Sequence, residues 1–344
     1  MTAGSDPAFG SGLWLEKQWY RHSLWQFVLL PFSMLFRLLS ALRRVAYKQG
    51  WLATERLPVP VIVVGNITVG GSGKTPLVLW MAQYLRQQGY RPGIVSRGYG
   101  SSAVGACPVS PADDPALSGD EPVLLARKSA CPVWIGRDRA AVGRALLAAC
   151  PDCNVILCDD GLQHYRLRRD LEIAVVDGQR RFGNGRLLPA GPLREGLWRL
   201  NLVDAVVVNG GAPLETQAAQ YGMHLNGALL TNLRTGEKRL AVELKALRLH
   251  ALAGIGHPQR FFDHLHALGL DFTEHVFPDH HAYRTSDLDW PDADALLMTE
   301  KDGVKCAAFA DERYWALPVQ AEVDPRLGQK MLVILREYDG RKTA

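Results

Sequence analysis

The sequence predicts an α/β fold: a doubly wound, mostly parallel sheet with a second, smaller α/β domain joined to it by a β-ribbon. Three observations carry that expectation. From residue 59 onward, short β-branched and apolar runs alternate with helix-length segments, the order that parallel sheets with crossover helices require. The first run, Val61–Gly65, leads directly into a glycine-rich turn and a helix. The alternation lapses over residues 223–241 and then resumes.

Ahead of the sheet, residues 14–51 are rich in Leu, Phe, Trp and Val, most densely over 24–42. Their polar members Gln26, Ser33, Arg37, Ser40, Arg44 and Lys48 recur at intervals of seven, four, three, four and four. On a helix of about 3.6 residues per turn they form one narrow stripe. Arg37 interrupts the apolar run and Pro31 is placed to kink it. A helix lying in a membrane interface is therefore expected over residues 1–50, with Arg21, Arg37, Arg43, Arg44 and Lys48 near headgroups. The same pattern also suits a helix docked on the protein's own core. The N-terminus has no basic segment, apolar stretch and small-residue cleavage site in the order of a secretory signal.

Val61–Gly65, Val155–Asp159, Leu171–Asp177 and Ala205–Asn209 read as buried strands, with others at 93–97 and 131–135. Helices are expected from the glycine-rich turn to about residue 88, stopped by Gly89, and over 120–128 and 138–149. Residues 229–233 and 238–242 flank Arg234-Thr-Gly-Glu as a two-stranded ribbon. Strands at Leu249–Ala253, 272–277 and Ala295–Thr299 follow, with helices at 259–268 and 325–336. The expected units are 1–50, 51–222, a ribbon at 223–247, and 248–344. A cleft between two such domains is a common ligand site.

Composition is ordinary for a globular chain of 344 residues: 47% hydrophobic, 22% charged, net charge +4 and pI about 8.7. That mild basicity suits phosphate-bearing ligands or an anionic membrane and argues against nucleic acid as a partner. Of the six cysteines only Cys150-Pro-Asp-Cys153 has motif spacing. Without a second pair it reads as reduced, small residues at a turn.

The chemistry begins at Thr68-Val69-Gly70-Gly71-Ser72-Gly73-Lys74-Thr75, between strand and helix. Glycines let backbone N–H groups curl around a phosphate at the positive end of the helix. Lys74 would reach the β- and γ-phosphates and the Thr75 hydroxyl would ligate Mg²⁺. Thr68 stands where the motif's first glycine is usual. Val155–Asp159, followed by Asp160, suits the acidic strand end that holds Mg²⁺ in such a site. One of these aspartates could instead cap the turn. These features make the fold P-loop NTPase-like, with ATP and Mg²⁺ as cofactors.

Partition-type ATPases carry an extra lysine where Val69 stands, and GTPases need a base-reading Asn-Lys-x-Asp motif that neither Asn209-Gly-Gly nor Thr299-Glu-Lys-Asp302 supplies. A P-loop ATPase or GTPase acting on a protein or metal partner is the alternative. A kinase also needs a group to accept a hydroxyl proton. Asp120, in Gly119-Asp-Glu-Pro122, is one candidate, although it also suits a helix cap. Asp279-His280-His281 follows a strand, and adjacent histidines on extended chain point in different directions. Arginines are dense at 97, 166, 168, 169, 180, 181, 186 and 194, and those near the cleft suit bidentate phosphate binding.

Together, Gly65-Asn-Ile-Thr-Val-Gly-Gly-Ser-Gly-Lys-Thr-Pro76, Ser96-Arg-Gly-Tyr-Gly100, Gly119-Asp-Glu-Pro122, Asp159-Asp-Gly-Leu-Gln-His164, Gly185-Arg-Leu-Leu-Pro-Ala-Gly-Pro-Leu-Arg-Glu195, Asp279-His-His281 and Thr299-Glu-Lys-Asp302 resemble the tetraacyldisaccharide 4'-kinase family over nearly the whole chain. Leu162 stands where that family often has Phe. The resemblance implies transfer of the ATP γ-phosphate to the 4'-hydroxyl of an acylated disaccharide 1-phosphate lipid in lipid A biosynthesis. It also implies a peripheral or monotopic place on the cytoplasmic face of a Gram-negative inner membrane. By matched position it implies Lys74 and Thr75 at the phosphates, Asp120 as base, His280 or His281 as its partner, and Asp159 and Asp160 at the metal. His164 and Arg194 lie in matched motifs, Arg194 on the nucleotide side.

Overall fold

The computed structural model describes residues 18–21 and 24–343. The start of the expected N-terminal segment, including Trp14, lies outside them. In chain order the elements are α1 (Trp25–Lys48), β1 (Val61–Gly65), α2 (Lys74–Gln87), β2 (Pro92–Ser96), β3 (Cys107–Val109), α3 (Pro115–Ser118), α4 (Asp120–Ser129), β4 (Val133–Ile135), α5 (Arg139–Ala149), β5 (Val155–Asp159), β6 (Leu171–Asp177), β7 (Ala205–Asn209), β8 (Gln220–Asn226), β9 (Leu229–Asn232), β10 (Lys238–Leu240), β11 (Leu249–Ala253), α6 (Pro258–Ala267), β12 (Phe272–Val276), β13 (Ala295–Thr299), α7 (Glu300–Cys306), β14 (Tyr314–Leu317), β15 (Gln320–Val323) and α8 (Pro325–Thr343).

Nine strands form one sheet in the order β15-β8-β7-β6-β1-β5-β2-β4-β3, with only the edge strands β3 and β15 antiparallel to their neighbours. Strand periodicity explains its double winding. Ile62 and Val64 point into a core shared with Leu77, Met81 and Leu85 of α2. Val61 and Val63 point into the opposite core, with Ala140, Val142 and Leu146 of α5. β1 lies between β5 and β6, with Val64 beside Asp159 and Gly65 beside Ala174. The carboxyl ends of β1, β5 and β6 therefore open on one crevice, the usual ligand side of such sheets.

Six strands form the second sheet, in the order β10-β9-β14-β13-β11-β12. Two segments depart from the expected boundaries. β15 pairs with β8, and Leu327, Met331 and Leu335 of α8 sit in the first sheet's core. The unit expected at 248–344 thus returns its last part to the first lobe. The segment expected as a ribbon at 223–247 is also divided: β8 belongs to the first sheet, while β9 and β10 belong to the second. Which sheet a short strand joins is decided by register, here Val323 against Met223, and local pattern does not encode that.

α1 turns the first part of its polar stripe inward. Gln26 and Ser33 are its buried residues. Ser33 Oγ donates to Leu187 O at 2.9 Å and accepts from Ala190 N at 3.0 Å. Arg44 lies over the Trp198 ring and 3.9 Å from Glu195. The apolar residues face out: Leu24 is 82% and Met34 70% exposed, with Phe27, Phe32, Leu35, Leu38, Leu39 and Leu42 all more than half exposed.

Candidate active site

The phosphate loop is held open by its neighbours. Gly73, at the start of α2, has φ 94°, and a side chain there would run into the Asn209 amide. That amide instead donates to Ser72 O at 3.1 Å. Val69 N donates to Pro192 O at 2.8 Å and Arg194 N to Ile67 O at 2.7 Å, which sets Arg194 beside the loop. Lys74 Nζ lies 3.5 Å from Asp160 Oδ1, and Arg194 Nη1 donates to the same carboxylate at 3.1 and 3.3 Å. Burial opposes charge on Asp160, but the two cations outweigh it and hold its pKa far below the carboxylate range.

Asp159 differs sharply from its neighbour. It is 1% exposed. Ser96 Oγ donates to its Oδ2 at 3.4 Å, and its Oδ1 has no hydrogen-bond partner. Burial first, then the nearby Glu121 charge, pushes its pKa up to about 7 against the pull of Lys74. An orphaned carboxylate oxygen next in sequence to a second carboxylate, at a cavity that Thr75 also lines, is a hard-oxygen set that fits Mg²⁺. Among the described residues no three His, Cys, Asp or Glu side chains form a metal cage.

The other half is built from both lobes, Asp120 from the first and His280 from the second. Asp120 opens α4, is 5% exposed, and accepts from Glu121 N at 2.8 Å. His280 Nδ1 lies 3.1 and 3.0 Å from its two oxygens. The backbone of His280 is left-handed, φ 61°. This strained turn aims the ring across the lobe boundary. His281 turns away: its Nε2 is 3.1 Å from Asp287, and its ring packs on Phe277 and Tyr283. Of the two histidines named as catalytic candidates, only His280 reaches Asp120. Burial alone would raise the Asp120 pKa, but His280, then Lys301 and Lys305, bring it down to about 2. For His280, burial lowers the pKa, and the hydrogen bond to Asp120 outweighs it, so the net shift is upward.

The phosphate loop and His280 of the pair face one cavity of about 750 Å³, lined by Gly70–Thr75, Arg194 and Asn209 on one side and by His280 and Lys301 on the other. The sequence profile of the tetraacyldisaccharide-1-P 4'-kinase family matches residues 25–336. The chain belongs to that family. It is 52% identical to a tetraacyldisaccharide 4'-kinase of Methylobacillus flagellatus over 94% of this chain and 96% of that one. It is 48% identical to one of Nitrosococcus oceani over 95% of each. The LpxK of Aquifex aeolicus, solved in complex with ATP, superposes with a TM-score of 0.78 at 32% identity, covering 91% of this chain and all of that one.

For this tetraacyldisaccharide 4'-kinase family member, the arginine-dense region divides. Arg97 and Arg194 line the cavity. Arg169 is taken up by Glu172 and the Leu162 carbonyl, and Arg166 by Asp138. His164 accepts from Arg139 N at 3.2 Å, and burial followed by the Arg139 charge lowers its pKa to about 4. All six cysteines are free, and burial pushes Cys153 up to about 11. Sequence reasoning passed over Lys301 and over Asp177, which joins the lobes through His257 and Arg260. Lys301 stood inside a motif already singled out, but nothing local says whose carboxylates it meets.

Proposed function

We propose that this protein transfers the γ-phosphoryl group of ATP to the 4'-hydroxyl of a tetraacyldisaccharide 1-phosphate. The observation that carries the reading is the shared cavity, with a phosphate loop on one wall and, on the other, the His280 imidazole that pairs with the Asp120 carboxylate. Phosphoryl transfer is chiefly positioning and charge neutralisation. Lys74 and Arg194 supply fixed positive charge where the γ-phosphate would sit. Thr75 and Asp159 would hold Mg²⁺, which neutralises charge between the β- and γ-phosphates when bound. Asp160 supports the site by fixing Lys74 and Arg194. The acceptor oxygen bonds to the γ-phosphorus as the bridge to the β-phosphate breaks, and ADP carries the electron pair away. The hydroxyl proton passes to the pair, with Asp120 as acceptor and His280 holding its orientation.

Asp120's burial favours a second reading, in which His280 meets the hydroxyl and Asp120 holds the imidazole. Asp120→Asn and His280→Gln separate them: the larger loss of kcat marks the group that takes the proton.

The outward apolar face of α1 supports a seat at the cytoplasmic face of the membrane, where an acylated acceptor stays in the bilayer. By length and composition α1 is long enough to span. Gln26 and Ser33 of its polar stripe are taken up by the protein while Arg37 and Lys48 stay exposed, which supports lying along the interface.

The direct test is transfer of label from γ-labelled ATP to tetraacyldisaccharide 1-phosphate in detergent micelles, with Lys74→Ala alongside. A labelled lipid that vanishes in the variant is expected. Free phosphate without labelled lipid would overturn the reading and favour an NTPase.

A further inference from the structure

Lys301, on the first turn of α7, carries its ammonium across the lobe boundary. Nζ lies 2.9 Å from Glu121 Oε1, 3.1 Å from Asp279 Oδ1 and 3.9 Å from Asp120 Oδ2, and the side chain is 14% exposed. Glu121 and Asp120 come from α4 of the first lobe, and Asp279 from the loop after β12 in the second. One cation therefore serves three carboxylates from two lobes. Lys305, four residues on, is also 3.9 Å from Asp120, but Asp302 engages it at 2.8 Å.

We infer that Lys301 is a positioning residue for the proton-accepting pair, joining the lobe that bears Asp120 to the loop that bears His280 and keeping the pair free of a resting proton. Two physical consequences support this. Without the ammonium, Asp120, Glu121 and Asp279 would crowd one partly dry space, and like charges there would push the lobes apart. The charge also acts on the pair's own proton. Asp120 faces His280, Lys301 and Lys305, with Glu121 beside it. His280 faces Asp120, Asp279, Lys301 and the Tyr99 ring, whose centroid is 4.8 Å away. A cation beside a two-site pair disfavours its protonated form whichever member holds the proton.

This rests on the proposed reading of Asp120 and His280, so the test separates the two. In the full-length enzyme, kcat, the KM for ATP and the pH profile of kcat are measured for Lys301→Gln and Lys301→Arg. Lys128→Gln is the control, because Lys128 bridges to Glu300 across the same boundary at 2.6 Å without touching the pair. Lys301→Gln is expected to lower kcat about tenfold or more, with the KM for ATP within about twofold, and to move the acidic limb upward by about one pH unit. Lys301→Arg should return the limb to its wild-type position, and Lys128→Gln should leave it there. Melting temperature reports folding, and Lys301→Met replaces the Gln variant if that variant does not fold.

An unmoved acidic limb in a folded neutral variant overturns the inference. So does an equal loss in Lys128→Gln, which would make Lys301 one lobe tether among several. If Asp120→Asn is inactive while the Lys301 limb stays put, the inference fails and the reading of the pair stands. Full activity in both Asp120→Asn and His280→Gln overturns the reading and the inference together.

Discussion

His280 shows how a single residue serves stability and catalysis with opposite signs. Its folded pKa is raised, so its ion pair with Asp120 contributes stability fully below the ordinary histidine value of about 6.5. That contribution is lost as pH rises through the folded value. Activity runs the other way, because a pair already holding a proton cannot accept one. We expect kcat to fall as pH drops through the raised His280 value, while the melting temperature gains over the same interval. His280→Gln should flatten both trends. A variant that keeps either trend would show that another group sets it. The motifs named the residue types at this site, and the structure sets Lys74 beside Asp160 and Asp120 beside His280. The choice between His280 and His281 was not, because it depends on a left-handed backbone turn at His280 that neighbouring residues impose. Lys301 was invisible for a related reason. Its three carboxylates lie 22, 180 and 181 positions away in the chain, and no local pattern reports a meeting of that kind.

At the scale of an element, α1 was half legible. Periodicity marked Gln26, Ser33, Arg37, Ser40, Arg44 and Lys48 as one stripe, but periodicity cannot say which face docks. Amphipathic helices of soluble domains bury the apolar face, and here the buried residues are Gln26 and Ser33 of the polar stripe, with Arg37 and Lys48 exposed. The two faces should therefore separate by mutation. Ser33→Ala removes a donor to Leu187 O and an acceptor for Ala190 N, and leaving those groups unpaired should destabilise the protein by about 1–3 kcal/mol. Thermal melting should register it, and liposome flotation should not. Leu35→Gln with Leu38→Gln and Leu39→Gln changes exposed positions. Flotation with anionic vesicles should then fail while the melting temperature stays within a few degrees. Equal flotation by the triple variant would remove α1 from the membrane contact.

At the scale of the whole molecule, the two lobes are tied by more than the segments that cross between them. Many strands matched their sequence signals to the residue, among them β1, β5, β6, β7, β11 and β13. Their assembly did not follow from those signals, since β15 and α8 return to the first sheet. The tie lies beneath the phosphate loop. Asp177, at the end of β6, meets His257 Nδ1 at 2.9 Å and Arg260 Nη2 at 2.6 Å, both from the start of α6. Arg260 also donates to Asn209 O at 3.2 Å, and the Asn209 amide donates to Ser72 O at 3.1 Å. The Arg180 guanidinium donates to Gly256 O just before α6. A displacement of the second lobe would thus be felt at the loop that holds ATP. Asp177→Asn keeps the shape and removes the charge, leaving Arg260 largely enclosed without its anion. Loss of hydrogen bonds to charged groups here should destabilise the protein by about 2 kcal/mol. The KM for ATP should rise severalfold with a smaller change in kcat, and calorimetry should show a broader or split transition relative to wild type as the lobes uncouple. The pH dependence has a definite sign. Burial favours the neutral acid at Asp177, but its partners outweigh that and depress the folded pKa. Its contribution is therefore present above the ordinary carboxylate value of about 3.9 and lost as pH falls below it. Wild type and variant should accordingly converge in melting temperature toward acid pH and diverge near neutrality. A variant with one sharp transition and an unchanged KM for ATP would show that the crossing segments alone hold the lobes in register.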